Sequence, residues 1–146
     1  ENSRAKDLRE LIQTLSPNLE TGGLSGALST LMMQYQSHMK ISVQVDENSE
    51  RLDSLHLLGI YRIIEQALLN AFVHGPASNT LVTVTTSSTG DTEISIADDG
   101  PGVDLATVQC GVGSAIIDSW IGIIGGKKSI DSAPGHGYRV QVIIPK

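Results

Sequence analysis

The sequence predicts an α+β fold: a two-layer sandwich, three helices packed on one face of a mixed β-sheet. Three observations predict it. Apolar residues recur at helical spacing in well-separated blocks, alternating apolar and polar runs fall between those blocks, and the runs that should pair are joined by short glycine-bearing turns. The chain has 146 residues, 40% hydrophobic and only 3% aromatic. That is the size of one domain, and its core must be aliphatic.

Asp7 to Leu15 places Leu8, Leu11, Ile12 and Leu15 on one helical face, and Ser16-Pro17-Asn18 with Thr21-Gly22-Gly23 ends it. A helix is expected from Ser25 to about His38, with Leu24, Leu28, Leu31 and Met32 as its apolar side. Ile41, Val43 and Val45 alternate with polar residues and read as a half-buried strand. Past a polar loop, Ser54 to His74 is the longest helical pattern, with Leu57, Tyr61, Ile64, Leu68 and Ala71 as its core stripe. Strands follow at Leu81–Thr86 and Thr92–Ala97, joined across Ser87 to Asp91. A helix from about Gly113 to Ile124 leads to a closing pair, Lys128–Ser132 and Arg139–Ile144, turned by Ala133-Pro134-Gly135-His136-Gly137.

Composition excludes several function classes. A net charge of −6 argues against broad binding to a phosphate backbone, and the scarcity of aromatic residues argues against a stacking surface for single strands, so no nucleic-acid partner is expected. A single cysteine, Cys110, rules out an internal disulfide and suits a reducing compartment. No apolar run reaches membrane-spanning length, and no direct membrane contact is expected. The chain starts abruptly at Glu1-Asn2-Ser3-Arg4 and reads as a fragment of something longer.

Three segments carry the chemistry. On the long helix, Gln66, Asn70 and His74 fall at i, i+4 and i+8, a polar line beside the buried stripe; it is either a ligand-facing edge or a solvated one. Glu65 sits about 100° round from Gln66 and is placed to pair with Arg62. Asp98-Asp99-Gly100-Pro101-Gly102 ends a strand; alone, such a cluster is most often a plain turn. Gly111-Val112-Gly113 opens a helix, where free N–H groups and the helix dipole favour anions. Gly125-Gly126-Lys127-Lys128-Ser129 is no P-loop, because it lacks the first glycine and a hydroxyl directly after the lysine.

In this order the segments resemble the sensor histidine kinases of the GHKL ATPase superfamily. Tyr61 to Ala71 is similar to the family's N box, Asp98 to Gly102 to its first glycine box, and Gly111 to Gly113 to its second. Ile124-Gly125-Gly126, Ser132 to Gly137 and Val142 to Pro145 match its last segment in order and spacing. Leu11 to Leu28 resembles the junction that leaves the dimerisation helices in the nitrate-sensor type. The resemblance implies residues 1–24 as the end of a dimerisation helix with its connecting segment, and 25–146 as the ATP-binding catalytic domain. It implies that Asp98 accepts the adenine amino group, with Gly100 and Gly102 giving backbone access, and that Asn70 ligates Mg²⁺. Amides near Gly111 and Gly113 would hold phosphate oxygens, with His74 close by. The implied reaction moves the γ-phosphoryl group of ATP to a histidine on a separate helical domain of the same protein, with a response regulator downstream and a homodimer formed through helices outside this chain. The implied location is cytoplasmic, as a soluble protein or as part of a membrane-anchored sensor.

Four departures qualify this. Gln66 stands where the family usually presents a glutamate base, and an amide cannot take a proton. Tyr138 replaces a usual threonine near the adenine aspartate, where a ring either crowds the base or packs outward. Only eight residues separate Gly102 from Gly111, so the covering loop is very short. Residues 63 to 126 contain no Lys or Arg against seven acidic residues, a deficit that a basic side chain folding in from Arg62 or Lys127 would soften. Weak, strongly Mg²⁺-dependent ATP binding is expected, and a catalytically silent binding or phosphotransfer scaffold is the alternative. None of His38, His56, His74 or His136 combines an acidic neighbour with a mid-helix setting, so the phosphoacceptor is expected elsewhere.

Overall fold

A computed structural model of the chain describes residues 23–73, 79–102, 104 and 112–146. The helix expected over Asp7–Leu15 lies outside the described residues. In chain order come α1 (Gly23–Met32), β1 (Lys40–Val45), α2 (Glu47–Glu50), α3 (Ser54–Val73), β2 (Asn79–Thr86), β3 (Thr92–Asp98), α4 (Val112–Ile124), β4 (Lys127–Ser132) and β5 (Tyr138–Ile144). The sheet order is β1-β2-β3-β5-β4. β1 and β2 are parallel, whereas β2/β3, β3/β5 and β5/β4 are antiparallel, so the sheet is mixed, as expected.

Connection lengths explain this topology. Parallel neighbours cannot be joined by a tight turn, and α3 supplies the crossover between β1 and β2. β3 and β4 both run against β5, so they point the same way with β5 between them, and α4 is the crossover that joins them.

The helices cover one face. Leu24, Leu28 and Leu31 of α1, Ile60, Ile63, Ile64 and Leu68 of α3, and Ile117, Ile121 and Ile124 of α4 meet Val82, Val84, Ile94, Ile96, Val140 and Val142 from the sheet. Strand alternation sends the intervening residues to the other face, which among the described residues is uncovered and mostly polar, with Leu81 and Ile143 exposed on it: Gln141 Nε2 donates to Glu93 Oε1 at 2.6 Å, and Arg139 Nε to Ser95 Oγ at 3.3 Å. Burying these aliphatic side chains contributes roughly 1.5–3 kcal/mol each against chain entropy. Among the described residues, no helix is long and apolar enough to cross a membrane.

Two local expectations are corrected. α1 stops at Met32, not near His38. The i→i+3 bonds Gln34 N–H to Leu31 O, Tyr35 N–H to Met32 O and His38 N–H to Tyr35 O turn the chain, so that Tyr35 and Met39 reach the core and β1 can start. Helical periodicity cannot register that need to reverse. The polar loop after β1 also holds the extra turn α2. Asp46 caps it: one carboxylate oxygen accepts from Ser49 N–H and the other from Thr86 N–H, both at 2.9 Å. Behind it, Ser49 Oγ, Thr86 Oγ1 and Thr92 Oγ1 form a buried hydroxyl chain with links of 2.8 and 2.9 Å. Glu50 then reaches back to the start of α1, accepting from Leu24 N–H at 2.7 Å.

Partial burial opposes the charge on Asp46, but hydrogen bonds from Ser49 and the Thr86 amide outweigh it and hold the carboxyl below its ordinary value. The folded value is below the unfolded one, so this stabilisation is present at neutral pH and is lost as pH falls through the folded value. Asp46→Ala should cost about 1–2 kcal/mol in urea denaturation at neutral pH, with the gap to wild type narrowing in acid. A gap that ignores pH would show that the charge contributes nothing.

Candidate functional site

The site is built outward from the end of β3. Asp98 lies on the same side of its strand as Ile94 and Ile96, facing the helix layer, and it is half-buried. Its register partner on β5 is Tyr138. Gly100 N–H donates to Asp98 Oδ1 at 2.8 Å, curling the chain back over the carboxylate. Burial pushes the Asp98 carboxyl above its ordinary value and the adjacent Asp99 charge adds to that, while the N–H groups of Gly100 and Tyr138 offset part of it. Two N–H donors do not exhaust a carboxylate's acceptor sites. A desolvated acceptor with capacity left can read the N–H edge of a planar heterocycle.

Asp99, by contrast, is tied into the scaffold. Its two oxygens take Asn79 N–H at 2.8 Å and Asn79 Nδ2 at 2.9 Å, and its own N–H donates to Asn79 O at 3.1 Å. This fixes the start of β2 against the end of β3. The remainder of the segment is locked to the β4–β5 turn. Gly135 N–H donates to Pro101 O at 2.6 Å, and Ser132 Oγ to Gly137 O at 2.6 Å. Gly102 (φ +70°) and Gly137 (φ +75°) have backbones that side chains disfavour. A Cβ on Gly102 would overlap the Ala133 carbonyl oxygen, and one on Gly137 the Asp98 carbonyl oxygen. These two glycines let three stretches of backbone meet under Asp98. Tyr138 lies on the helix-facing side, partly buried against the core, not on the open face.

The second wall is α3. Arg62 Nη1 meets Glu65 Oε1 at 2.7 Å, the pairing expected of them. Burial raises the pKa of Tyr35 and Tyr61, and the Glu65 charge adds to that in each case. Gln66 and Asn70 are half-buried, one step around from that cluster. His74 lies outside the described residues.

The third wall is α4, whose first residue is Val112. Gly111 lies outside the described residues, and Gly113 is in the first turn. Neither Arg62 nor Lys127 turns in here: Arg62 is engaged by Glu65, and Lys127 is exposed; the lysine that turns inward is Lys128. Its ammonium lies 2.6 Å from Asp118 Oδ1 and 3.5 Å from Ser114 Oγ, both on α4. Sequence reasoning missed it, although the alternation of β4 carried the signal: Lys128, Ile130 and Ser132 share the helix-facing side. His56 is accounted for structurally, because Asp53 caps α3 through His56 N–H and also pairs with His56 Nδ1, both at 2.8 Å.

A model of the family described as histidine kinase-, DNA gyrase B- and HSP90-like ATPase matches residues 56–146. An uncharacterized sensor-like histidine kinase of Chloroflexus aurantiacus is 27% identical over 95% of this chain, and the nitrate/nitrite sensor protein NarQ of Escherichia coli is 30% identical over 70% of it. The sensor histidine kinase LiaS of Bacillus subtilis is 25% identical over 95% of the chain. The alignments cover 25%, 18% and 39% of these proteins, so the chain corresponds to only a part of each. Among solved structures, the histidine kinase domain of a blue-light activated kinase from Erythrobacter litoralis superposes with a TM-score of 0.72 at 21% identity, over 84% of this chain and 59% of that one. The ATP-binding domain of PrrB from Mycobacterium tuberculosis gives 0.60 at 22% identity, over 80% and 88%. These likenesses show the fold.

The two adjacent aspartates should respond oppositely to substitution. Because Asp98 has its folded value above the unfolded one, its ionisation weakens the fold as pH rises through that interval, and the loss persists at neutral pH. Asp98→Asn should therefore raise the melting temperature at pH 7 and lose that advantage in acid, whereas Asp99→Ala should lower it by removing both bonds to Asn79. Thermal denaturation across pH checks both, and a lowered melting temperature for Asp98→Asn at pH 7 would contradict the assignment.

Proposed function

The chain belongs to the histidine kinase-, DNA gyrase B- and HSP90-like ATPase family, and we propose that it is the ATP-binding catalytic domain of a two-component sensor histidine kinase. The observation that carries the proposal is Asp98: a half-buried carboxylate at the end of an inner strand, held by two backbone N–H groups and facing the helix layer. It accepts the adenine amino group, and the locked backbone around Gly100 and Gly102 forms the floor beneath the base. The amides of the first turn of α4, Gly113 among them, take the phosphate oxygens; Gly111 and His74, proposed to take part as well, lie outside the described residues.

The residues present fit a hard cation. Asn70 offers an amide oxygen from α3, the type of donor Mg²⁺ accepts, and Gln66 offers a second on the same face. Among the described residues, no group of three or more His, Cys, Asp or Glu side chains could hold a metal by itself. The remaining ligands would then be phosphate oxygens and water, as is usual for this ion with nucleotides. Bound there, Mg²⁺ neutralises charge on the phosphates. The protein's own share is positioning.

In this reading the γ-phosphoryl group goes to a histidine on a helical domain of the same protein, whose junction is residues 1–24, and a response regulator takes it onward. Dimerisation lies on those helices, and the domain works in the cytoplasm. A second reading, a scaffold without phosphoryl-transfer activity, is favoured by one specific feature: Gln66 cannot act as a base, and the adjacent Glu65 is held by Arg62 at 2.7 Å. Joining the chain to its helical domain and following label from ATP separates the two, since only the first reading gives a labelled histidine.

Titration of the 146-residue chain with a non-hydrolysable ATP analogue tests the site. Binding should be weak, should need Mg²⁺, and should fall roughly tenfold or more in Asp98→Asn, the loss of one charge-assisted hydrogen bond. Unchanged affinity in that variant, or tight binding without Mg²⁺, would overturn the assignment.

A further inference from the structure

The first turn of α4 is flanked by a lysine from β4, the strand that follows it in the chain. An α-helix leaves its first four N–H groups without intrahelical partners, and in α4 these belong to residues 112–115. Ser114 is the third of them, about 3 Å along the axis from the first. The Lys128 ammonium lies 3.5 Å from Ser114 Oγ and 2.6 Å from Asp118 Oδ1, one helical turn further on. It therefore sits beside the same turn that presents free amides.

We propose that Lys128, which pairs with Asp118 in the structure, is the phosphate-recognising cation of the nucleotide site and is exchanged onto the terminal phosphates when nucleotide binds. The inference rests on the nucleotide reading above.

Four features support the exchange. The stretch from 63 to 126 has no Lys or Arg, so the cations nearest α4 in sequence are Lys127 and Lys128, which open β4. Among the described cations, Lys40, Arg51, Lys127, Arg139 and Lys146 are exposed and Arg62 is bound to Glu65, whereas Lys128 points into the helix layer with its side chain 19% exposed. Asp118 is 59% exposed, and an ion pair with so exposed a partner is weak, so a more highly charged phosphate competes with it readily. The lysine stem also brings three rotatable donors that can move between a carboxylate and a phosphate without backbone change.

The alternative role for the pair is a brace between α4 and β4, and the two roles differ in sign. If Lys128 serves phosphate, Lys128→Met weakens a Mg²⁺-bound non-hydrolysable ATP analogue about tenfold or more. It leaves adenosine within about twofold, since adenosine has no phosphate to lose, and Lys128→Arg keeps most of the affinity. Asp118→Asn, which releases the lysine, tightens the analogue severalfold while adenosine stays unchanged. Calorimetry of the 146-residue chain with both ligands reads all of these, and adenosine affinity reports that each variant is folded. The proposal is overturned if Asp118→Asn weakens the analogue as Lys128→Met does, or if Lys128→Met affects adenosine and analogue equally or neither. If the unsubstituted chain binds neither ligand, the nucleotide reading itself falls, an outcome distinct from a variant effect.

Discussion

The structure depends on one backbone contact at the end of the sheet. Gly102 and Gly137, both with positive φ, allow the chain leaving β3 to lie directly on the β4–β5 turn, and the 2.6 Å bond from Gly135 N–H to Pro101 O closes it. No side chain fits between these strands of backbone. The contact fixes where β3 ends, and so where Asp98 stands. It also joins the end of β3, where adenine is proposed to bind, to the β4–β5 hairpin. Substitution at either glycine would push these backbones apart and displace the end of β3 where Asp98 stands.

Around that contact the protein divides its polar groups into two kinds. Those that hold the scaffold are fully engaged: Asp46 with Ser49 and Thr86, Asp99 with Asn79, Glu50 with the start of α1, Arg62 with Glu65. Asp98 is different. Burial raises its pKa, its two N–H partners only partly offset that, and it retains acceptor capacity toward the helix layer. A carboxylate kept in a setting that opposes its charge reduces stability, and groups perturbed in this way are concentrated at binding and catalytic sites. Together with family membership, this half-buried carboxylate supports the nucleotide reading proposed above. In that reading the phosphate end is less complete: Gln66 offers no base, and the inward cation is Lys128 of β4.

Much of this was legible in the sequence because periodicity and turn chemistry are local. The stripe on α3, the alternation in β2, β3 and β5, and the Arg62–Glu65 pair follow from spacing alone. The glycine boxes were visible as motifs, but not the reason Gly102 and Gly137 are needed, since each is explained by a carbonyl oxygen more than 25 residues away or across the sheet. Asp98 and Asp99 look equivalent as letters; only the pairing of β3 with both β2 and β5 separates them. The end of α1 and the extra turn α2 were missed because tertiary demands set them: the chain had to reverse into β1, and Asp46 had a partner on Thr86 to hold. Lys128 was overlooked for a similar reason. Its meaning depends on α4 crossing above β4.

The most direct test of the account is a ¹⁵N NMR titration of the chain with a Mg²⁺-bound non-hydrolysable ATP analogue. The account predicts the largest amide shifts at Gly100 and Tyr138, whose N–H groups hold the Asp98 carboxylate, and along the first turn of α4 at residues 112–115. Ser95 and Gln141, on the open face of the sheet, should stay still. Shifts confined to that open face or to the β1 edge, with Gly100 and Tyr138 unmoved at saturation, would contradict it.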